Sequence, residues 1–450
     1  MLTKYKSGSI AELWAVSWPM MMASMSNYFV CLADRIILAK YSTEAFTAAS
    51  GAHPFYWLNV RTMMAFIAVT SVFVGYFNGT KKYHHIGNVV WQTIFVSFAY
   101  WIILIPMIIY AKALLAEPIE ELGTPYLRIT LAFLPFSLAG FGSIGSFFIG
   151  RGETLIMPLV SIVSNLINVV ADFVFVFGKF GVPEMGIRGA AYATGLSNVT
   201  SFVIFLMIFL KKNYAEKFHT NVAKLSPNLL KRCFSIGLPT SMNSLINSIG
   251  TAVVFQIIAK FCSHDDLVSY SIASSVYMFF RFVLDGIGKG VCSIASNSIA
   301  CGELQTIRRL FISSLKVTCI FAVITSFFMI INTNMVVYWF SNDDYQKGTD
   351  SILNSMLFWT WVTIIIESVR WSLQNILISA GDTRFTTISN ILCFWLFAFF
   401  PTVLLICKFG HVASVCWIFF AVDNVMRILS NLRRVTSIKF KNKAMNLSYY

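Results

Sequence analysis

Residues 150–178 read GRGETLIMPLVSIVSNLINVVADFVFVFG. From Leu155 onward this is an apolar run of the length that crosses a bilayer as a helix, about 20 residues. A G-E-T turn opens it, a glycine closes it, and Asp172 is the one charge inside it. Such a run buried in lipid has no water to satisfy its backbone, so it must satisfy its own hydrogen bonds as a helix. Runs of this kind recur along the whole chain. We place twelve spans, at roughly 11–39, 52–77, 89–110, 123–149, 155–178, 188–210, 234–262, 267–297, 310–332, 351–379, 385–407 and 412–432. The strict alternation of a membrane β-barrel is absent. The expected fold is an all-α membrane protein.

Composition agrees. The 450-residue chain is 57% hydrophobic and 12% charged, where soluble chains carry about 25% charged residues. Mean hydropathy is +0.71. The net charge of +14 suggests nucleic acid, but its distribution does not. The basic residues sit in alternate loops, with no aromatic-basic platform for bases. The nine cysteines fall singly, mostly within apolar runs, without metal-ligand spacing. They read as small buried apolar residues. The first apolar run lacks a small-residue cleavage site and is expected to serve as an uncleaved insertion signal.

Loop charge sets the expected orientation. One set of loops carries Lys4 and Lys6; Lys81 and Lys82; Lys211, Lys212, Lys217, Lys224, Lys231 and Arg232; Arg308 and Arg309; then Arg433, Arg434, Lys439, Lys441 and Lys443. The other carries Glu117, Glu120 and Glu121; Asp265 and Asp266; then Asp343, Asp344 and Asp350. Basic loops stay inside, which puts both termini in the cytosol, in a multi-pass protein of a bacterial inner (plasma) membrane. The basic stretch 211–232 is the natural linker. It divides the chain into 1–222, a first six-helix bundle with the start of the linker, and 223–450, a second.

The halves repeat. Pro19 and Pro239 stand 220 residues apart. At that offset Asn27 meets Asn247, Ile37-Leu38-Ala39-Lys40-Tyr41 meets Ile257-Ile258-Ala259-Lys260-Phe261, and Arg61 meets Arg281. Gly152-Glu153-Thr154 answers Gly381-Asp382-Thr383 at an offset of 229. Two pseudo-symmetric six-helix bundles related by an axis along the membrane normal are a known transporter plan, with solute held near the midplane between repeats.

Charged residues inside spans are costly and normally face a cavity or a partner. Asn27, Cys31 and Asp34 share one face of the first span, and Asn168 and Asp172 one face of the fifth. Two neighbouring buried carboxylates cannot both stay bare: one takes a proton, or a cation sits between them. The competing reading is that these polar groups only tie helices together. Pro19 removes a backbone donor and is expected to bend the first span, as a static kink or as a hinge. In the second half, Arg281, Asp285 and Lys289 form a charged ladder at i, i+4, i+8, with Arg61 at the repeat-equivalent place and Glu367 three residues before Arg370. They are either internal ion pairs or the lining of a cavity for an anionic or zwitterionic solute. Asp423 and Arg427 look like a structural pair.

The opening ELWAVSWP…LADRIILAKY, the stretch quoted above with its GIRGAAYAT continuation, SIGLPTSMNSLIN and SAGDTRFTTISN together resemble the multidrug and toxic compound extrusion (MATE) family over nearly the full length. The resemblance implies alternating access between two bundles and export driven by inward H⁺ or Na⁺. It also implies a coupling site of an aspartate on span 1, a tyrosine on span 4, Asn-x-x-x-Asp on span 5 and a threonine on span 6. Here these are Asp34, Tyr126, Asn168 with Asp172, and Thr194. Asp34, Asn168, Asp172 and Thr194 supply oxygens for Na⁺. Where some branches carry a glutamate on span 7, this chain has Asn247, while Glu367 remains on span 10.

The expected function is a cation-coupled antiporter for a small organic solute, in contact with membrane lipid, with no cofactor beyond the ion and a monomer sufficient. The alternatives are a lipid-linked precursor flippase of the same superfamily and an exporter of an anionic or zwitterionic metabolite. A membrane enzyme would need a nucleophile–base pair or clustered acids or histidines near an interface. HExxH, GxSxG and H-x4-D are all absent.

Overall fold

The computed structural model describes residues 3–115, 120–331, 350–409 and 414–437. Glu117, Asp343, Asp344, Lys439, Lys441 and Lys443 lie outside them. In chain order the α-helices are α1 (Ile10–Tyr41), α2 (Thr43–Ile67), α3 (Val69–Gly79), α4 (Ile86–Ala99), α5 (Trp101–Ile109), α6 (Glu120–Ser137), α7 (Gly145–Gly150), α8 (Ile156–Phe177), α9 (Ile187–Phe209), α10 (Lys212–Phe218), α11 (Pro227–Phe261), α12 (His264–Ala300), α13 (Leu304–Ser326), α14 (Asp350–Ser379), α15 (Thr383–Cys393), α16 (Phe400–Phe409) and α17 (Ser414–Val435). Short π-helical segments at Leu138–Ile144 and Phe394–Phe399 join α6 to α7 and α15 to α16.

Among the described residues, eight helical segments are long and apolar enough to cross a membrane: Glu44–Gly79, Tyr83–Ile109, Glu120–Gly150, Ile156–Phe177, Ile187–Phe209, Ile352–Ser379, Thr383–Lys408 and Ser414–Val435. The other four expected spans fall on α1, α11, α12 and α13. These are helices of 32, 35, 37 and 23 residues that carry more polar side chains. The second span starts nine residues before its expected position. Ser42 caps it there, its Oγ accepting from the N–H groups of Glu44 (3.1 Å) and Ala45 (3.3 Å). That satisfies donors the first turn would otherwise leave open.

α8 displays the logic of a membrane fold. Leu155, just before it, and Leu159, Ile162, Leu166, Val170 and Phe173 are all exposed. Ser161, Ser164, Asn168 and Asp172 are buried. The polar face is inside and the apolar face outside, the reverse of a soluble amphipathic helix. Lipid tails are as apolar as leucine, so helices associate here through close packing and polar contacts rather than through apolar burial. Gly195 is one such close approach. A Cβ there would lie 2.5 Å from the Phe133 ring.

The chain forms two compact units, Met22–Ser241 and Met1–Met21 with Met242–Tyr450. Both boundaries cut through a helix, α1 after Met21 and α11 after Ser241. The cuts are 220 residues apart, and each falls two residues beyond the repeat-related Pro19 or Pro239. A division at 222/223 differs from this in two places: the start of α1 packs with the C-terminal helices, and the start of α11 with the N-terminal ones. Accordingly Leu13 and Val16 share a core with Val254, Ile258, Leu357 and Trp417, while Thr240 Oγ1 donates to the Ala65 carbonyl at 2.9 Å.

The two G-(D/E)-T turns are built alike. Gly152 and Gly381 have φ of +75° and +70°, a left-handed conformation that side-chain-bearing residues resist. Each acid is held by an arginine: Glu153 by Arg151, and Asp382 by the Nε of Arg434 at 2.6 Å. Arg151 also lies over the rings of Phe147, Tyr214 and Phe218.

Candidate functional site

Five helices of the Met22–Ser241 unit bring the first polar cluster together. α1 supplies Asp34, α2 Tyr56, α6 Tyr126, α8 Asn168 and Asp172, and α9 Thr194 and Asn198. α8 packs along α9, α9 along α6, and α6 along α2. The carboxyls of Asp34 and Asp172 face each other within hydrogen-bond reach. Both Asp172 oxygens are fully buried and receive no N–H or O–H donor. With its amide nitrogen towards α1, Asn168 donates to Asp34 Oδ1 at 2.9 Å and accepts from the Thr194 backbone N–H at 3.3 Å. The phenol of Tyr126 lies among Asp34, Asp172, Tyr56 and Cys31.

All five residues expected at the coupling site are therefore in one place. Thr194 enters through its backbone rather than its hydroxyl. A carboxylate accepts and cannot donate, so two bare carboxylates in contact are repulsive and unsatisfied. One shared proton turns the contact into a hydrogen bond. A small cation ligated by both oxygen pairs removes the repulsion equally well.

Sequence reading missed several members. Asn165 and Ser161 extend the polar stripe of α8 by one and two turns. Ser161 Oγ donates to Asn27 Oδ1 at 2.9 Å, and Asn165 Nδ2 donates to Ser26 Oγ at 2.8 Å. Their spacing from Asn168 and Asp172 was a usable signal. Tyr56, whose hydroxyl faces Asn198, left none, because a tyrosine in an apolar run reads as packing.

The second cluster lies in the other unit, on α12, α14 and α17. Glu367, buried, is saturated. Its Oε1 accepts from Arg281 (3.2 Å) and Arg370 (2.7 Å), and its Oε2 from the Tyr277 hydroxyl (2.6 Å). Arg281 also donates to the Tyr277 hydroxyl at 2.9 Å, and Arg370 to Gln374 at 2.6 Å. Asp285 pairs with Lys289 at 2.6 Å. The expected ladder is thus split: Arg281 turns to α14, and only the lower rungs pair within α12. Asp423 holds Arg427 at 2.7 Å, and Arg427 reaches Asn247 Oδ1 at 3.5 Å. Arg61 belongs to the first unit, near His53.

Lipid-facing apolar surfaces, polar helix faces turned inward and buried charge at mid-helix define a multi-pass membrane protein of the transporter class. The MatE family model matches residues 19–174 and again 239–404, two stretches that begin at the repeat-related prolines. The chain belongs to the MatE family of transporters, which are not enzymes.

Relatives at low identity carry multidrug-resistance and transporter names. The probable multidrug resistance protein YoeA of Bacillus subtilis is 24% identical over 278 residues, 59% of each chain. That is less than two thirds of YoeA's length. The uncharacterized transporter YisQ of the same organism is 22% identical over 446 residues, 96% of each. Among solved structures, an outward-facing multidrug resistance MATE transporter of the MOP superfamily superposes with a TM-score of 0.85 at 18% identity, over 98% of this chain and 97% of that one. A MOP superfamily transporter from Pyrococcus furiosus, described as having a binding pocket of reverse polarity, gives 0.84 at 18%, over 98% and 97%. A MATE in complex with Br-NRF gives 0.75 at 18%, over 97% and 96%. These share the fold.

Proposed function

We propose that this protein is a cation-coupled antiporter that exports a small organic solute by alternating access, with Asp34 and Asp172 as the coupling pair. The observation that carries this reading is the buried contact between the two carboxyls, where neither Asp172 oxygen has a donor. A group left so unsatisfied inside a membrane calls for a proton or a cation. The Thr194 backbone N–H orients Asn168, which holds Asp34 in place, and Tyr126 closes the site. The ion is H⁺ or Na⁺. Both compete for the same oxygens, so loading one expels the other.

In this reading all twelve long helical segments span the membrane, including the four more polar ones, whose polar residues face the protein interior. Both termini are cytosolic in a bacterial plasma membrane, and a monomer suffices. Pro19 serves as a hinge, which its place two residues before a unit boundary supports. Arg61, Arg281, Asp285, Lys289 and Glu367 remain the candidate substrate-cavity set. The relative described as having reversed pocket polarity supports treating the charge of the solute as a variable within this fold.

Flux in sealed proteoliposomes, with sodium and pH gradients imposed separately, tests the proposal. Solute movement that follows one gradient in the wild type and neither gradient in Asp172→Asn is the expected result. Equal ion dependence in both proteins would refute the assignment.

A further inference from the structure

We propose that the C-terminal unit is a binding site for an organic anion, a planar carboxylate on an apolar body, held by Arg281 and the indole N–H of Trp371. The inference rests on the transporter reading and names the solute class it would move.

Arg281, Arg370 and Arg427 gather around Glu367 and Asp423, while Asp285 and Lys289 cancel each other. Three guanidinium groups face two carboxylates. The surplus positive charge is not spread evenly. Arg370 and Arg427 have 5% and 7% of their side chains exposed, against 41% for Arg281. An uncompensated charge inside a membrane protein needs a counter-charge, and Arg281 is the arginine a solute can reach.

Arg281 spends NH1 on Tyr277 and Glu367. Its Nε and NH2 have no acceptor among the described residues. Those two N–H groups form the parallel fork that meets a carboxylate bidentately. The guanidinium carbon lies 5.5 Å from the centre of the Trp371 ring and 5.9 Å from that of Tyr277. The Trp371 indole N–H also lacks an acceptor among the described residues. The indole nitrogen lies close to Gly288, where a Cβ would stand 2.2 Å from it, so any side chain at 288 would block it.

Glu367 is already engaged on both sides. Both its oxygens are taken by three donors. A cationic solute would have to displace an arginine to reach it. The same saturation fits Glu367 as the brace that aims Arg281.

The test is equilibrium binding to the purified full chain in lipid nanodiscs. The probes are benzoate and benzylammonium, of similar shape and opposite charge. Saturable binding of benzoate but not benzylammonium is expected. Arg281→Gln should weaken benzoate about tenfold or more, as loss of a charge-assisted bidentate pair does. Trp371→Phe keeps an aromatic face and every Glu367 contact but loses the N–H. It should weaken benzoate several-fold, and it carries the test if Arg281→Gln fails to fold. Absent benzoate binding, preferred benzylammonium binding, unchanged benzoate affinity in a folded Arg281→Gln or, where Arg281→Gln does not fold, unchanged benzoate affinity in Trp371→Phe would each overturn the proposal. Binding needs no gradient, so Asp172→Asn should still bind benzoate. If Asp172→Asn binds benzoate and keeps gradient-driven flux, the coupling assignment falls and the anion site stands.

Discussion

The carboxyl of Asp172 on α8 lies against that of Asp34 on α1, and neither of its oxygens has a donor. Groups that act through one shared proton or ion are strongly non-additive. Asp34→Asn and Asp172→Asn should each abolish gradient dependence, and the double variant should be little worse than either single one. Proteoliposome flux of the three purified proteins measures this. A double variant slower by the product of the two single effects would mean two separate sites.

Glu367 holds two arginines, and removing its charge strands both. Breaking one side of a buried ion pair costs about 3–5 kcal/mol. Glu367→Gln should therefore lower the unfolding midpoint in detergent sharply, while any folded fraction keeps its ion dependence. Asn247→Ala, which removes amide contacts to Arg427 and Asn243, should leave ion dependence unchanged. A stable Glu367→Gln protein that has lost ion coupling would move the coupling site to the C-terminal unit.

The two G-(D/E)-T turns should differ in stability although they repeat in sequence. Asp382 is 1% exposed and its partner Arg434 19%, whereas Glu153 is 37% exposed. Asp382→Asn should cost about 3 kcal/mol as a broken buried pair. Glu153→Gln should cost less than that, because the carboxylate is partly exposed, but more than the ~1 kcal/mol of a fully exposed pair, because it strands Arg151, which is 10% exposed. Thermal unfolding of both variants gives the comparison, and equal shifts would show that burial does not set the cost here.

Orientation can be read from two exposed lysines. In a cysteine-free background, Lys112→Cys, beside the acidic start of α6, should react with an impermeant thiol reagent applied to intact cells. Lys212→Cys, in the basic linker, should react only after permeabilisation. Both positions are well exposed, so accessibility is not limited by packing. The reverse pattern would invert the topology.

Pro19→Ala restores the missing backbone donor in α1. It should slow transport while leaving equilibrium ion binding at Asp34 intact, because the proposed ion site lies wholly in the Met22–Ser241 unit. Unchanged transport would mean a static kink.

Local regularities of the chain determined much of this protein. Apolar runs of spanning length force helices, since lipid offers the backbone no other partner. The Pro19–Pro239 offset marked the repeat that the family model matches twice. Asn168 and Asp172, one turn apart, had to share a face, and the charge of Asp172 within an apolar run marked that face as inward. Spacing along one helix is set by the helical period, and so it was legible.

Contacts between helices were decided by the tertiary structure. Arg281 and Asp285 are one turn apart, yet Arg281 reaches across to Glu367 on α14 and leaves Asp285 to Lys289. Tyr56 joins the Asp34 cluster from α2, and α1 and α11 each change packing partners two residues past a proline. Which long side chain meets which neighbour depends on the rotation, depth and crossing of packed helices. Many nonadjacent residues set those together, and no local pattern carries them.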